Sequence, residues 1–433
     1  MLKLKHSLSL ALLICFTCAL TVRPQSSEQN IANLTVYNAG IAEFLEERTF
    51  ELQPGANAIV WRSLMPRANI RTVRVMAEDA EVVRVDVTYD GPQVNDTKSP
   101  VLHMVIQNRG SAARKRVQID YLAPNLAWQS DYALVLEPTP KGEAPTAAAL
   151  DSWVSLYNNT GVDLASGTVD LVAGDIALLP ENMPSAYRGE YSSQSQIAVN
   201  VTSGYDTTED SSGTSFAEVS SLSAFNRFTL GKNINLNANA LINRFPIFQR
   251  VRLAVVQRNV FENTHEAQTL GRGGFILLPR GLEVRLVAKN TASSPMAAGL
   301  VTIYQRSGTI SQIVGQDRIS FTPQNAEFSV TQGRSATLFG TRRVLDRQNV
   351  NYRDKDGNGQ DKLVTKVEIE LRNRGTQPAE AFVREGIERD DNNQWKIVES
   401  TTPSERLGAN TLQFKVQVPA GGKTTILYTV EVE

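Results

Sequence analysis

Cysteine is nearly missing from this chain: Cys15 and Cys18 are the only two in 433 residues, and both sit close to the N-terminus. Histidine is almost as scarce, with His6, His103 and His265 making up the total of 3. A Cys–His dyad and a thiolate or multi-histidine zinc site therefore have no residues to draw on beyond the first segment. Charge of one sign is not in excess either, since Lys+Arg number 44 against Asp+Glu 45. The densest basic run, Arg114-Lys115-Arg116, leads straight into an alternating stretch and reads as a solvated strand end. A nucleic-acid or anionic-membrane partner has no electrostatic footprint here. Past residue 20, no apolar run approaches the roughly 18 residues that a membrane helix needs. Phosphate-cradling glycine loops and a G-x-S-x-G nucleophile turn are missing as well.

What is present begins with an export signal. Lys3 and Lys5 precede an uncharged apolar stretch from Leu8 to Ala19, followed by the small or modest residues Thr17, Cys18 and Ala19 at its end. This is the layout of a signal peptide over residues 1–20, too short for a spanning helix. Neither cysteine suits lipidation, because bulky Ile14 precedes Cys15 and Cys15 itself lies three before Cys18. Cleavage after Ala19 leaves a mature chain with no thiol, and removing two lysines takes the formal charge from −1 to −3. Such a chain is expected to be periplasmic or extracellular and to rely on burial for stability.

The dominant period is two. Val83, Val85, Val87 and Tyr89 alternate with Arg84, Asp86 and Thr88; Val117, Ile119 and Tyr121 alternate with polar residues, as do Val367, Ile369 and Leu371, and Leu412, Phe414, Val416 and Val418. Each run predicts a half-buried antiparallel strand. A weak repeat accompanies them: a strand runs into an Asn-centred turn at Asn108, at Asn158-Asn159, at Asn290 and at Asn373. Asn and Gly tolerate the backbone that such turns demand. The expected fold is all-β, built of antiparallel, immunoglobulin-like β-sandwich modules with little helix. Composition shifts at Pro138 to Ala149, Thr207 to Ser215 and Asp346 to Asp361 suggest three segments, 30–137, 150–345 and 346–433.

With these blocks in view, the chain resembles the bacterial exported proteins related to mucoidy inhibitor A. The resemblance is carried by Leu34-Thr35-Val36-Tyr37-Asn38, by Tyr121-Leu122-Ala123-Pro124-Asn125-Leu126-Ala127-Trp128-Gln129-Ser130-Asp131-Tyr132 and by Leu171-Val172-Ala173-Gly174-Asp175. It continues through Gly315-Gln316-Asp317-Arg318-Ile319, Leu371-Arg372-Asn373-Arg374-Gly375 and Val418-Pro419-Ala420-Gly421-Gly422. It implies a β-rich exported protein linked to envelope or capsule physiology, and it supplies no site residues to carry over. Longer family members hold a helical insertion in the N-terminal half that this chain lacks.

Candidate chemistry is thin. Asp354-Lys355-Asp356-Gly357-Asn358-Gly359 matches the first half of a calcium loop, in which alternate oxygen side chains converge on a hard cation. Asp354, Asp356, Asn358 and Asp361 are the candidate calcium ligands, although Thr365 stands where a bidentate Glu is expected. The competing reading is a polar hairpin turn. His103 reads as a strand histidine and His265 as a loop residue. Trp61, Trp128, Trp153 and Trp395 lie in or beside strands and read as core rather than as a sugar platform. No catalytic residue and no cofactor other than calcium emerges. The function expected is non-enzymatic binding or scaffolding, with an envelope protein or polysaccharide as partner. A carboxylate-based hydrolase of cell-surface glycans is the alternative, because two facing carboxylates suffice for it. Self-assembly through edge strands is a third option.

Overall fold

A computed structural model describes residues 31–62, 64–94, 97–140, 143–174, 214–215, 218–222, 225–263, 279–353, 359–387 and 394–432. The chain begins with β1 (Ile31–Tyr37), β2 (Ile41–Leu52), β3 (Gly55–Trp61), β4 (Arg74–Ala77), β5 (Glu81–Thr88), β6 (Gln93–Val94), β7 (Thr97–Lys98), β8 (Val101–Asn108) and β9 (Ala113–Pro124). It continues as β10 (Leu126–Leu136), β11 (Ala147–Asn158), β12 (Leu164–Ala173), β13 (Thr214–Ser215), β14 (Glu218–Leu222), β15 (Phe225–Leu236) and β16 (Asn243–Asn263). Next come β17 (Arg280–Lys289), β18 (Gly299–Ser307), β19 (Ile310–Ile319), β20 (Glu327–Arg353) and β21 (Gly359–Asn373). The last are β22 (Ala379–Gly386), β23 (Trp395–Ser400), β24 (Ser404–Arg406), β25 (Thr411–Val418) and β26 (Lys423–Val432). A 3-10 turn at Ile70–Thr72 is the only helical element among the described residues. The fold is all-β and sandwich-like, as the two-residue period requires.

Two compact units are assembled from discontinuous stretches. Unit 1 takes Met1–Trp128, Leu156–Val199 and Ser221–Asn243, and unit 2 takes Gln129–Ser155, Asn200–Ser220 and Arg244–Glu433. In unit 1 a sheet runs β15-β12-β1-β2-β9-β4, and a three-stranded sheet runs β3-β8-β5. Trp61 of the smaller sheet donates its indole N–H to Glu46 of the larger one, which ties the two layers together. In unit 2 the path runs β19-β18-β10-β11-β16-β17-β20-β21-β26-β23, with β22, β25 and β24 joined through β16. A core of Phe261, Val367, Ile369, Val383, Phe414 and Ile426 lies within it. β1 with β12, β10 with β18 and β16 with β22 pair in parallel, and the period cannot distinguish these from antiparallel pairs. β20 passes through Leu345 and Asp346 as one continuous strand.

One strand departs from its expected half-buried alternation. On β5, Val83, Val85 and Tyr89 just beyond its end are exposed. The register with β8 shifts between Val82 and Arg84, so a bulge breaks the alternation, and β5 lies at a sheet margin.

The four asparagine turns share one construction, two in each unit. Asn108, Asn158, Asn290 and Asn373 are all buried. In each, Oδ1 accepts the N–H two residues on: Gly110 at 3.0 Å, Thr160 at 3.2 Å, Ala292 at 3.1 Å and Gly375 at 2.8 Å. Nδ2 then donates to a carbonyl three or four residues on, that of Ser111, Val162, Ser294 or Gln377. It also donates to a carbonyl far along the chain, that of Leu52, Leu236, Thr322 or Val418. One amide thus closes a turn and fastens it to a distant stretch of backbone, meeting polar groups that burial would otherwise leave costly.

Candidate functional site

The aspartate loop joins two paired strands. Arg353 at the end of β20 is paired with Gly359 at the start of β21. Asp354, Asp356 and Asn358 lie outside the described residues. Asp361 is exposed on β21, opposite Asn351. Thr365 is held in the ladder between Arg347 and Val430, which fixes it as a strand residue rather than a loop ligand. No group of three or more His, Cys, Asp or Glu side chains close enough for a metal occurs among the described residues.

His103 sits on β8 with Leu102, Met104 and Ile106 buried around it, as the alternation anticipates. Its Nε2 lies 3.1 Å from Thr88 Oγ1, and that hydroxyl donates to Asp90 Oδ1 at 2.6 Å. The hydrogen bond holds the Asp90 carboxyl below its ordinary range. The order is wrong for nucleophilic catalysis, in which the imidazole stands between hydroxyl and carboxylate. Here the hydroxyl stands in the middle. His265 lies outside the described residues.

Trp61, Trp128 and Trp395 are buried. Trp153 is half-buried, and the Arg244 guanidinium covers its ring at 4.8 Å. The tryptophans are core and clamp residues, and no two of them form an exposed platform.

The carboxylates carry the most electrostatic content. Glu262 on β16 and Glu283 on β17 both bind the Arg285 guanidinium, and Glu283 also meets Arg334 at 3.6 Å. Burial lowers the Arg285 pKa, but hydrogen bonds to Glu283 and Glu262 outweigh it and leave the group raised. Glu262 and Glu283 are thereby drawn to one shared cation. The cation between them fills the space where a glycosidic bond would have to lie.

Two further glutamates are fully buried, one in each unit. Glu46 accepts from Tyr121 at 2.6 Å and from Trp61 at 3.2 Å, with Arg48 at 3.5 Å. Burial pushes its carboxyl up, and the donors only partly oppose the shift. Burial also drives the Tyr121 phenol well above its usual value, reinforced by Glu46. In unit 2, Glu385 Oε2 accepts from Tyr428 at 2.6 Å and from Arg342 at 2.8 Å, while Oε1 is buried without a partner among the described residues. Burial lowers the Arg342 pKa, but the Glu385 charge outweighs it and leaves the guanidinium raised. Both tyrosines pack against a phenylalanine, Tyr121 on Phe44 at 5.3 Å and Tyr428 on Phe414 at 5.4 Å. Composition gives no hint of these clusters, yet a strand signal exists. Glu46 falls in phase with apolar Ala42 and Phe44, and Glu385 with Ala381, Val383 and Ile387.

No family model matches the chain, and no curated protein matches it either, so the resemblance to the mucoidy inhibitor A-related proteins rests on the short sequence blocks alone. No helix among the described residues is long and apolar enough to cross a membrane.

Proposed function

We propose that this chain is an exported cell-envelope protein that binds or scaffolds rather than catalyses. The observation that carries this reading is the way its strongest carboxylates are engaged. Glu46 and Glu385 are closed into buried networks, and Glu262 and Glu283 share Arg285. Groups fixed in this way stiffen sandwich layers and leave outward strand faces to make contacts. The N-terminal segment supports export, and the family resemblance supports a role in envelope or capsule physiology. We also read the strands around the β21–β26 and β22–β25 pairs as an immunoglobulin-like module, with the buried Phe414, Ile426 and Tyr428 between its layers.

The test is a pull-down of envelope proteins and polysaccharides with the purified mature protein, run beside subcellular fractionation. A specific envelope component should be retained, and the protein should leave the cytoplasm. Recovery of nothing above background would remove the binding reading. Release of reducing sugar from cell-surface glycan, lost on Glu262→Gln or Glu283→Gln, would favour the hydrolase reading instead.

A further inference from the structure

We infer that the outward face of β20, β17, β16, β22 and β25 in unit 2 docks an acidic polysaccharide, a chain whose sugars carry carboxylates among their hydroxyls. This names a partner for the binding reading above and rests on it. The strand register builds the face. Arg258 is the cross-strand partner of Arg285, and Glu283 is that of Arg334. On the other side of β16, Val260 and Glu262 pair with Phe382 and Arg384, and Phe382 pairs in turn with Lys415. Paired residues share a face, and alternate residues return to it. Each of the five neighbouring strands therefore sets one cation on the same side: Arg334, Arg285, Arg258, Arg384 and Lys415. Phe261, Val383 and Phe414 alternate with these residues and lie in the buried core, so the cations stand on the face turned away from it.

With neighbouring strands about 4.8 Å apart, the row is roughly 20 Å long. Its members are scattered from residue 258 to residue 415, so no basic run in the sequence announces them. Three carboxylates stand on the same face, each already bound to a cation: Glu262 and Glu283 to Arg285, and Glu380 to Lys415 at 3.0 Å. Arg258 and Arg384 are left over. Arg258 lies over the Phe382 ring at 5.6 Å, and Arg384 donates to Gln413 Oε1 at 3.1 Å. Neither pairs with a carboxylate among the described residues. Lys415 reaches the same ring at 5.7 Å from the opposite neighbouring strand, which sets half-buried Phe382 between two cations.

The mixture of groups names the occupant. The cations outnumber the carboxylates, so the face favours an anion. A polyphosphate bears charge on every unit and would meet Glu262, Glu283 and Glu380 with repulsion. An acidic sugar brings both functions that the face can answer. Its carboxylate suits Arg258, Lys415 and Arg384 as charge-assisted partners. Its hydroxyls suit the acceptors of Glu380, Gln413 and Gln417, which alternate onto the same side of β22 and β25. Its C–H edges suit the Phe382 ring.

Binding of the purified mature protein to immobilised polygalacturonate and hyaluronan tests this, with dextran, polyphosphate and polyglutamate as comparison probes. Both uronate polymers should be retained, more weakly as salt rises, and neutral dextran should not. Arg258→Gln and Arg384→Gln strip no carboxylate of a partner, and each should raise Kd about tenfold. Lys415→Gln, at an exposed position, stands in if either lowers the melting temperature. Arg109→Gln, an exposed cation of unit 1, should leave binding unchanged. Loss of both uronate polymers, tighter retention of polyphosphate or polyglutamate, or unaltered binding by the variants would overturn the inference. The pull-down separates the two readings. An envelope component held equally by the unaltered protein and by the Arg258→Gln, Arg384→Gln double variant would sink this surface alone, whereas an empty pull-down with the unaltered protein removes the binding reading itself.

Discussion

Asn290 donates to the carbonyls of Ser294, Thr322 and Pro323 and accepts from the Ala292 N–H. Replacing it with Ala abandons one buried donor and three buried acceptors, which should cost on the order of 1–3 kcal/mol or more. Asn290→Asp should be worse at neutral pH, since a carboxylate would face three carbonyls without water. Urea denaturation of both variants checks the order, and a milder effect for Asp would refute the clamp. Tyr121 supports a second expectation. It donates to Glu46 Oε1 and accepts the Met65 N–H at 3.0 Å. Burial already raises the Glu46 carboxyl, so its unfolded form loses its proton first as pH rises, and stability falls between the unfolded and the folded pKa. Tyr121→Phe removes a donor that opposes this rise, so it should destabilise more at pH 7 than at pH 4. An equal loss at both pH values would contradict that linkage. Both sites were only half legible. Asn marked the turns, but its distant partners lie 56, 78, 32 and 45 residues away, and no local pattern encodes them. The glutamates were visible only as charges in an apolar phase.

Strands show the same mixture. Period two located β9, β21 and β25 because each buries alternate side chains, from Val117, Val367 and Leu412 onward. It misjudged β5, where a bulge and a margin position left the valines outside. In unit 2, β20 and β22 cooperate through one ion pair. Arg342 of β20 reaches Glu385 of β22 inside the sandwich, and breaking a buried pair is far costlier than replacing it whole. Arg342→Met should therefore cost about 3–5 kcal/mol, and adding Glu385→Gln should recover part of the loss. A double variant no better than the single one, measured by thermal and chemical denaturation, would argue against the coupling. β20 also meets β16 closely, for a Cβ at Gly340 would collide with the Phe261 ring. Gly340→Ala should destabilise by about 1–3 kcal/mol through overpacking.

At the scale of the molecule, the strand pairings join distant parts of the chain. β1 lies between β2 and β12, and β12 pairs in turn with β15, so residues 164–236 complete the sheet begun at residue 31. Composition shifts could mark Pro138 to Ala149 as a stretch rich in Pro and Ala, but they could not show which strands the chain would return to. A fragment ending at Glu137 would leave β1 without its parallel neighbour and expose a long apolar edge at Leu34, Val36 and their companions. With no cysteine beyond Cys18, no disulfide can hold such a fragment together. Residues 31–137 should therefore fail to fold cooperatively, showing poor amide dispersion by NMR and no sharp melting transition. Residues 31–243 should restore the unit 1 sheet, with its β12 and β15 partners present. A shorter fragment that melts as sharply as the longer one would show that the N-terminal segment is autonomous, and that the β1–β12 pairing joins two finished domains rather than completing one.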